Sequence, residues 1–329
     1  MSREKYRLQG YDKSGPVLPT TNETSLAPND IFCWAVVTIL AAAFVCACIR
    51  AWQLSMTHDE ALTLAWHVPR KVKHILLFKT PGLPDNNHLL HTLLVKLSIH
   101  LFGGGEFSAR LPSLFGYALY LSACYLSLKL VTRRLWMILG SLLLAFHPYL
   151  LDFFSIARGY ALGMGLMMTG LYLFLKWLGN PVLPSHSRTA RFSTLLFALA
   201  VTANLSFLVP YCACLGCWLL IEVQLKIKQC NNNISVSTFT LLSIKKFTLF
   251  ALPSITLLLL TCAVPIKKIN HQKLFAIGGS EGFWINTVGG LVDRTSYGKI
   301  YPFDTQVFGY WFVGLTILLA LLMTMMVAL

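Results

Sequence analysis

From Ile31 onward the chain alternates long apolar runs with short polar turns, a pattern that predicts membrane-crossing helices. Ile31–Ile49 carries no charged residue and is long enough to cross about 30 Å of hydrocarbon. No small-residue cleavage site follows it convincingly, which predicts a retained helix rather than a signal peptide. Further apolar runs lie near 108–130, 135–151, 159–177, 192–204, 206–224, 247–265 and 307–329, with Asn204 and Pro210 interrupting 192–224. The expectation is an all-α, polytopic transmembrane bundle of about eight spans. Residues 1–30 are polar, with turn formers at Gly15, Pro16 and Pro19, and read as a disordered tail ahead of one module over 31–329.

Composition sharpens this picture. Of 329 residues, 56% are hydrophobic and 12% charged, with a mean hydropathy of +0.63. Soluble domains carry about 25% charged residues, so a soluble enzyme, a DNA-binding module and a disordered chain are excluded. The net charge of +14, from 27 Lys and Arg against 13 Asp and Glu, would suggest nucleic acid in a soluble protein. Here the charge flanks apolar runs, which points to membrane lipids and not to a nucleic-acid partner. Eight of the nine cysteines fall inside apolar runs, so no disulfide framework is expected. The cluster Cys212, Cys214 and Cys217 reads as packing within a lipid-embedded helix rather than as a metal site.

The charges also orient the chain. Arg3, Lys5, Arg7 and Lys13 precede the first run. With alternating spans, Lys129/Arg133/Arg134, Lys176/Arg188/Arg191 and Lys226/Lys228/Lys245/Lys246 fall on the same side, whereas the turns near 152–157 and 204–210 hold no Lys or Arg. Cytoplasmic loops collect such cations, so the N-terminus is expected to be cytoplasmic. Segments 50–107 and 266–306 become the first and last external loops. Asn22 and Asn233 head glycosylation sequons on the cytoplasmic side, where they would go unused, and the sequon at Asn204 lies at a span end.

The candidate chemistry gathers in and beside the first external loop. Thr57 and Glu60 have capping-box spacing, which predicts a helix start and makes Glu60 a partner for a backbone N–H. Asp59 is not needed for that box. It is either a first-turn acid favoured by the helix dipole or, beside His58, a general base or metal ligand. Pro69–Lys79, with Lys71 among its leading cations, reads as an amphipathic helix at the membrane interface, as does the stretch from Asn87 to Phe102. His88 and His91 share a helical face, but two histidines make a weak metal set. Arg110 enters the second span, where it either snorkels or meets an anion. Arg158, followed by Gly159 and Tyr160, begins the fourth. A lipid-facing Arg costs about 2.5–3.5 kcal/mol at a helix centre and less near its end. Arg158 is therefore expected to face water, a ligand phosphate or an ion-pair partner such as Asp152.

The order of these pieces resembles the GT-C class of membrane glycosyltransferases, and more narrowly the family that includes the protein O-mannosyltransferases and the aminoarabinose transferase of lipid A. The residues that carry the resemblance are Asp59-Glu60 after the first span, Asn87-His88-Leu89-Leu90-His91 continuing through Gly103 to Arg110-Leu111-Pro112, and His147-Pro148 through Ala157-Arg158-Gly159-Tyr160-Ala161-Leu162. Leu89-Leu90 stand where the family usually has Pro-Pro. The match covers roughly residues 31–224.

The resemblance implies transfer of a sugar from a polyprenyl-phosphate donor to a hydroxyl of a lipid, glycan or protein acceptor at the non-cytoplasmic face, with inversion. It implies catalytic roles for Asp59 as base and for Glu60, which would position the acceptor or hold a divalent metal ion. Arg158, with Arg110 or Lys71, would hold the donor phosphate, and His88, His91 and Tyr160 would also contact substrate. A bacterial inner membrane or the endoplasmic reticulum would house the protein. A transporter or flippase and a non-catalytic membrane subunit are the alternatives. Against a transporter stand the lack of a visible inverted repeat and the scarcity of charges within the spans.

Overall fold

A backbone in hydrocarbon must satisfy its own polar groups, and a helix does so within one segment. The computed structural model describes residues 31–79, 87–131, 134–179, 184–230 and 236–271 together with Gly314, and every regular element among them is helical. In chain order these are α1 (Ile31–Gln53), α2 (His58–Leu62), a π turn (Thr63–His67), α3 (Val72–Leu76), α4 (Leu89–Phe102), α5 (Glu106–Val131), α6 (Arg134–Ala145), α7 (Pro148–Phe154), α8 (Gly159–Leu178) and α9 (Pro184–Ala203). A 3-10 turn (Leu205–Phe207), α10 (Leu208–Cys230) and α11 (Val236–His271) complete the series.

Among the described residues, five stretches are long and apolar enough to cross a membrane: α1, most of α5, α8, Leu205–Gln224 and Phe250–His271. They mark a multi-pass membrane protein. The pair α6–α7 makes a sixth if taken as one span, but it bends by 59°. The run over 135–151, expected as one helix, therefore breaks. Its cause is Pro148, which disfavours helical backbone at the residue before it. His147 is extended, and Pro148 opens α7 at the first helical position. The break frees carbonyls at the end of α6, and two tyrosines of α5 take them up. The Tyr117 hydroxyl donates to Ala145 O at 2.7 Å and the Tyr120 hydroxyl to Leu144 O at 3.2 Å.

The interruption expected within 192–224 is also present. Asn204 ends α9 in extended backbone, and its side-chain oxygen accepts from Ser206 N at 2.9 Å to start the 3-10 turn. α9 is not apolar enough to stand among the five, yet it packs between α8 and α11. Ser193 Oγ donates to Gly170 O at 2.7 Å, and Thr194 Oγ1 to Phe250 O at 3.3 Å. A helix enclosed by protein does not need a lipid-facing side, so its hydroxyls are tolerated. Of the Pro69–Lys79 stretch only the single turn α3 is helical, whereas the Asn87–Phe102 stretch forms α4. The 1–30 tail, the 272–306 part of the last external loop and the 307–329 run lie outside the described residues, apart from Gly314.

Small residues let the helices meet. α1 turns Val36, Leu40, Ala43, Ala47 and Ala51 inward and leaves Trp34, Val37, Val45 and Ile49 exposed, as a helix with one protein face and one lipid face requires. Gly116 of α5 and Gly165 of α8 bring two backbones into contact. A methyl added at Gly116 would sit 2.6 Å from Ala161 O, and one at Gly165 would fall on Gly116 O. Close crossings of this kind characterise membrane helices.

Among the described residues, lysines hold the segment between α1 and α5 at carbonyls. Lys96 of α4 donates to Val68 O at 2.7 Å and Lys268 of α11 to Phe78 O at 2.6 Å. Gly165→Ala is expected to destabilise the protein by about 1–3 kcal/mol, because a backbone oxygen cannot swing away. Gly216→Ala, in open space, should not destabilise. Thermal unfolding in detergent checks both, and equal behaviour of the two variants would contradict this packing.

Candidate functional site

The centre of the site is a buried ion pair. Successive positions on a helix differ by about 100°, so Asp59 and Glu60, adjacent in α2, face different ways. Glu60 is 1% exposed, and Arg110 of α5, at 0%, meets it head on. Arg110 Nε donates to Oε1 at 2.9 Å and Nη2 to Oε2 at 3.0 Å. The remaining guanidinium donors reach the end of α1 and its following turn: Nη1 to Ala51 O at 2.9 Å and Leu54 O at 2.6 Å, Nη2 to Ser55 O at 3.1 Å. A guanidinium has five N–H groups, and each has an acceptor here.

The carboxylate is equally engaged. Oε1 also accepts from Ala157 N at 2.6 Å, and Oε2 from Thr57 N at 2.8 Å, while Glu60 N donates to Thr57 Oγ1 at 3.4 Å. The capping box is thus formed, and both carboxylate oxygens are occupied by N–H donors. Burial pushes the Glu60 carboxyl up. The Arg110 hydrogen bonds, the Ala157 and Thr57 backbone donors and the Arg110 charge outweigh it and hold the group below the ordinary carboxylate value. Arg110 does not snorkel, and Glu60 has no lone pair left for a metal ion or an acceptor.

This clamp sets two other residues against each other. Glu60 follows Asp59 in the chain, and Ala157 precedes Arg158. The bond from Ala157 N to Glu60 therefore places Arg158 beside Asp59, and Arg158 Nη1 lies 3.0 Å from Asp59 Oδ2. The Asp59 side chain is 53% exposed and that of Arg158 only 13%. The result is an open carboxylate held by a mostly enclosed cation. Asp152, a few residues from Arg158, instead pairs with Arg50 at the end of α1. The Arg158–Asp152 pair expected as an alternative is not formed, because the α7–α8 turn carries the two side chains to different partners.

The histidines flank Arg158 from α4. His91 is buried, and its Nε2 lies 3.2 Å from Ser113 Oγ, which in turn donates to Arg158 O at 3.4 Å. That chain gives His91 the tautomer with hydrogen on Nε2. Burial, then the Arg158 charge, pushes His91 down to about 3 against a smaller upward pull from Glu60. His88 is likewise driven well below its ordinary value, first by burial and then by the charges of Arg158, His91 and His67. Both are therefore neutral near pH 7. Tyr160 packs its ring against His88 and Phe153, with centroids 5.7 and 4.9 Å away, and the Arg158 guanidinium carbon stands 5.8 Å from the same ring centroid. The distance fits a cation–π contact.

The structure thus brings Asp59, Arg158, Tyr160, His88 and His91 together, with Glu60 and Arg110 beneath them. Lys71 is exposed at the start of α3 and has no polar contact with this group among the described residues. Among the described residues no set of three or more His, Cys, Asp or Glu side chains is arranged to hold a metal ion. Ser113, Arg50 and the Ala157 N–H escaped the sequence reading. None has a local signature, since their partners lie tens of residues away. A separate groove of about 500 Å³ runs beside the end of α11, lined by Ala263, Val264, Lys267, Lys268 and His271.

Comparison of the chain with protein-family models, curated proteins and solved structures gives no match.

Arg110→Met leaves Glu60 buried without its cation and should cost about 3–5 kcal/mol, read as a lowered unfolding temperature. Acidification should destabilise the protein early. An unfolded histidine binds a proton below about pH 6.5, whereas native His91 resists until about 3. The unfolded state therefore holds more protons in that window, and stability falls by about 1.4 kcal/mol per pH unit per such histidine as pH drops. Glu60 adds its loss only at lower pH, as its own depressed value is crossed. His91→Gln should flatten the slope between pH 6 and 4, and an unchanged slope would contradict the burial of a neutral imidazole.

Proposed function

We propose that the chain is a GT-C-type membrane glycosyltransferase that moves a sugar from a polyprenyl-phosphate donor to an acceptor hydroxyl at the non-cytoplasmic face, with inversion. The observation that carries this reading is the Asp59–Arg158 arrangement: a half-exposed carboxylate 3.0 Å from an enclosed guanidinium. The resemblance in residue order over roughly 31–224 adds to it. The arrangement supplies the two groups such a reaction needs, a proton acceptor open to substrate and a fixed cation for a departing phosphate.

In the proposed reaction Asp59 takes the proton of the acceptor hydroxyl as its oxygen attacks the anomeric carbon. The bond from that carbon to the phosphate oxygen breaks on the opposite face, and polyprenyl phosphate leaves with the electron pair. Arg158 stabilises the charge that gathers on it. Preorganised electrostatic stabilisation of this kind is usually the largest catalytic term, and the Ala157 N–H bond to Glu60 holds the backbone beside Arg158 so that little reorganisation is needed. Proton removal by a positioned carboxylate contributes about 10²–10⁴-fold. Glu60 and Arg110 act as positioning residues, since their polar atoms are spent on each other and on the backbone. Tyr160, His88 and His91 form the wall beside Arg158, and Lys71 stands near the membrane surface.

The reading has about eight spans, α3 and α4 lying in the interface of the first external loop, and a cytoplasmic N-terminus as the basic turns demand. The membrane is a bacterial inner membrane or that of the endoplasmic reticulum, and the acceptor is a lipid, glycan or protein. The purified protein in nanodiscs, incubated with a panel of radiolabelled polyprenyl-phosphate sugars, should consume one of them. Asp59→Asn should reduce transfer by about 10²–10⁴-fold with unchanged membrane insertion and donor binding. Arg158→Ala should weaken donor binding as well. Transfer retained in Asp59→Asn would remove Asp59 as the base.

A further inference from the structure

Three residues at helix-start positions meet beside the Asp59–Arg158 pair, and none of them spends its side-chain N–H groups on capping. His88 precedes α4, Arg158 precedes α8 and Asn204 precedes the 3-10 turn. Neither His88 nor Arg158 makes a side-chain cap bond. Gly159 fixes their proximity. A methyl added there would fall on Ala203 O, one residue before Asn204, and would sit 2.8 Å from His88 Cβ. Only glycine allows the three segments to approach so closely.

Asn204 is the telling residue. It is 4% exposed, and its Oδ1 accepts from Ser206 N at 2.9 Å, which fixes the orientation of the amide. The NH2 group is then turned the other way, and Nδ2 has no partner among the described residues. An acceptor oxygen alone suffices for the cap, and Asp or Ser would serve as well. A buried donor left unpaired forfeits its hydration without return, so Asn here carries a cost that capping does not explain. His88 repeats the pattern, with Nε2 buried and unpartnered among the described residues. The segments that Gly159 brings together carry the Asn204 amide, the Arg158 guanidinium and the His88 ring, whose Nε2 donates in the Nε2–H tautomer, and the fourteen-residue α4 and twenty-residue α8 begin there. Helix starts favour anions, and a set of donors beside a cation matches a phosphate.

We infer that Asn204, with His88, completes a phosphate subsite against Arg158, binding the phosphate through Nδ2 and Nε2 while Oδ1 of the same asparagine holds the 3-10 turn. This inference rests on the glycosyltransferase reading for what bears the phosphate, and extends the donor site to the start of the α9–α10 connection.

Asn204→Ser separates the two jobs of the side chain. It keeps a neutral cap acceptor and removes the amide donor, so the unfolding temperature should hold while phosphate binding falls. His88→Phe keeps a ring against Tyr160 and removes Nε2. Binding of undecaprenyl phosphate to protein in nanodiscs, and of inorganic phosphate in a parallel titration, should each be followed by calorimetry. With undecaprenyl phosphate, each variant should bind about tenfold or more weakly than wild type. If inorganic phosphate also binds wild type and loses affinity in both variants, the subsite recognises the phosphate itself. If only the lipid binds, the phosphate must arrive on a polyprenyl chain.

Wild-type affinity in both variants, with sugar transfer intact in the unmodified protein, would overturn this subsite and leave the transferase reading standing. A protein that neither binds undecaprenyl phosphate nor consumes any polyprenyl-phosphate sugar would overturn both.

Discussion

The Glu60–Arg110 pair holds together the end of the molecule that carries the candidate site. One guanidinium joins the end of α1, the start of α2 and the first turns of α5, and the carboxylate it neutralises reaches across to the α7–α8 turn. Two ions buried this deeply lose their hydration, and the loss is recovered only when every donor and acceptor has a partner. That condition is met, with all five guanidinium N–H groups and both carboxylate oxygens engaged. A half-satisfied version would be worse than an apolar contact of the same size. The pair is therefore all-or-none, and so is the register it imposes on Asp59 and Arg158, each one residue removed from a group it binds.

The helices around it obey a different rule. In lipid there is no hydrophobic gain from pairing two apolar faces, so close packing and internal polar bonds decide which helices meet. Gly116 against Gly165 locks α5 to α8 by backbone contact, and Gly170 of α8 lies beneath the Phe197 ring of α9. The break before Pro148 bends α7 away from α6, and Tyr117 and Tyr120 take up the carbonyls it frees. The α7–α8 turn is thereby positioned so that Ala157 meets Glu60. A flaw in the membrane helix thus becomes part of the support for the site.

Much of this was legible in the chain. The apolar runs announce α1, α5, α8, α10 and α11, because lipid penalises charge wherever a span lies. The Thr57–Glu60 capping box was legible too, being a bond within four residues. What no local pattern carries is the partner of a buried charge. Glu60 and Arg110 are fifty positions apart, and only the tertiary fold shows that neighbours Asp59 and Glu60 part company, one toward solvent and one into the protein. Nearness along the chain was misleading for Asp152, which looks toward Arg158 in sequence and pairs with Arg50 in space. α9 was visible only in its apolar second half, since a helix enclosed by its neighbours can afford serine and threonine on its faces.

A single structural measurement bears most directly on the claim that one end of this bundle is built to grip a lipid-borne sugar. Cryo-electron microscopy of the protein in nanodiscs, loaded with a polyprenyl-phosphate sugar, would locate the phosphorus atom. The account predicts it within hydrogen-bonding distance of the Arg158 guanidinium, with the sugar over the exposed edge of Asp59 and Glu60 still bound to Arg110 and Ala157 N. Phosphate density at the far end of the bundle, or Asp59 and Arg158 drawn apart with the lipid bound elsewhere, would contradict it.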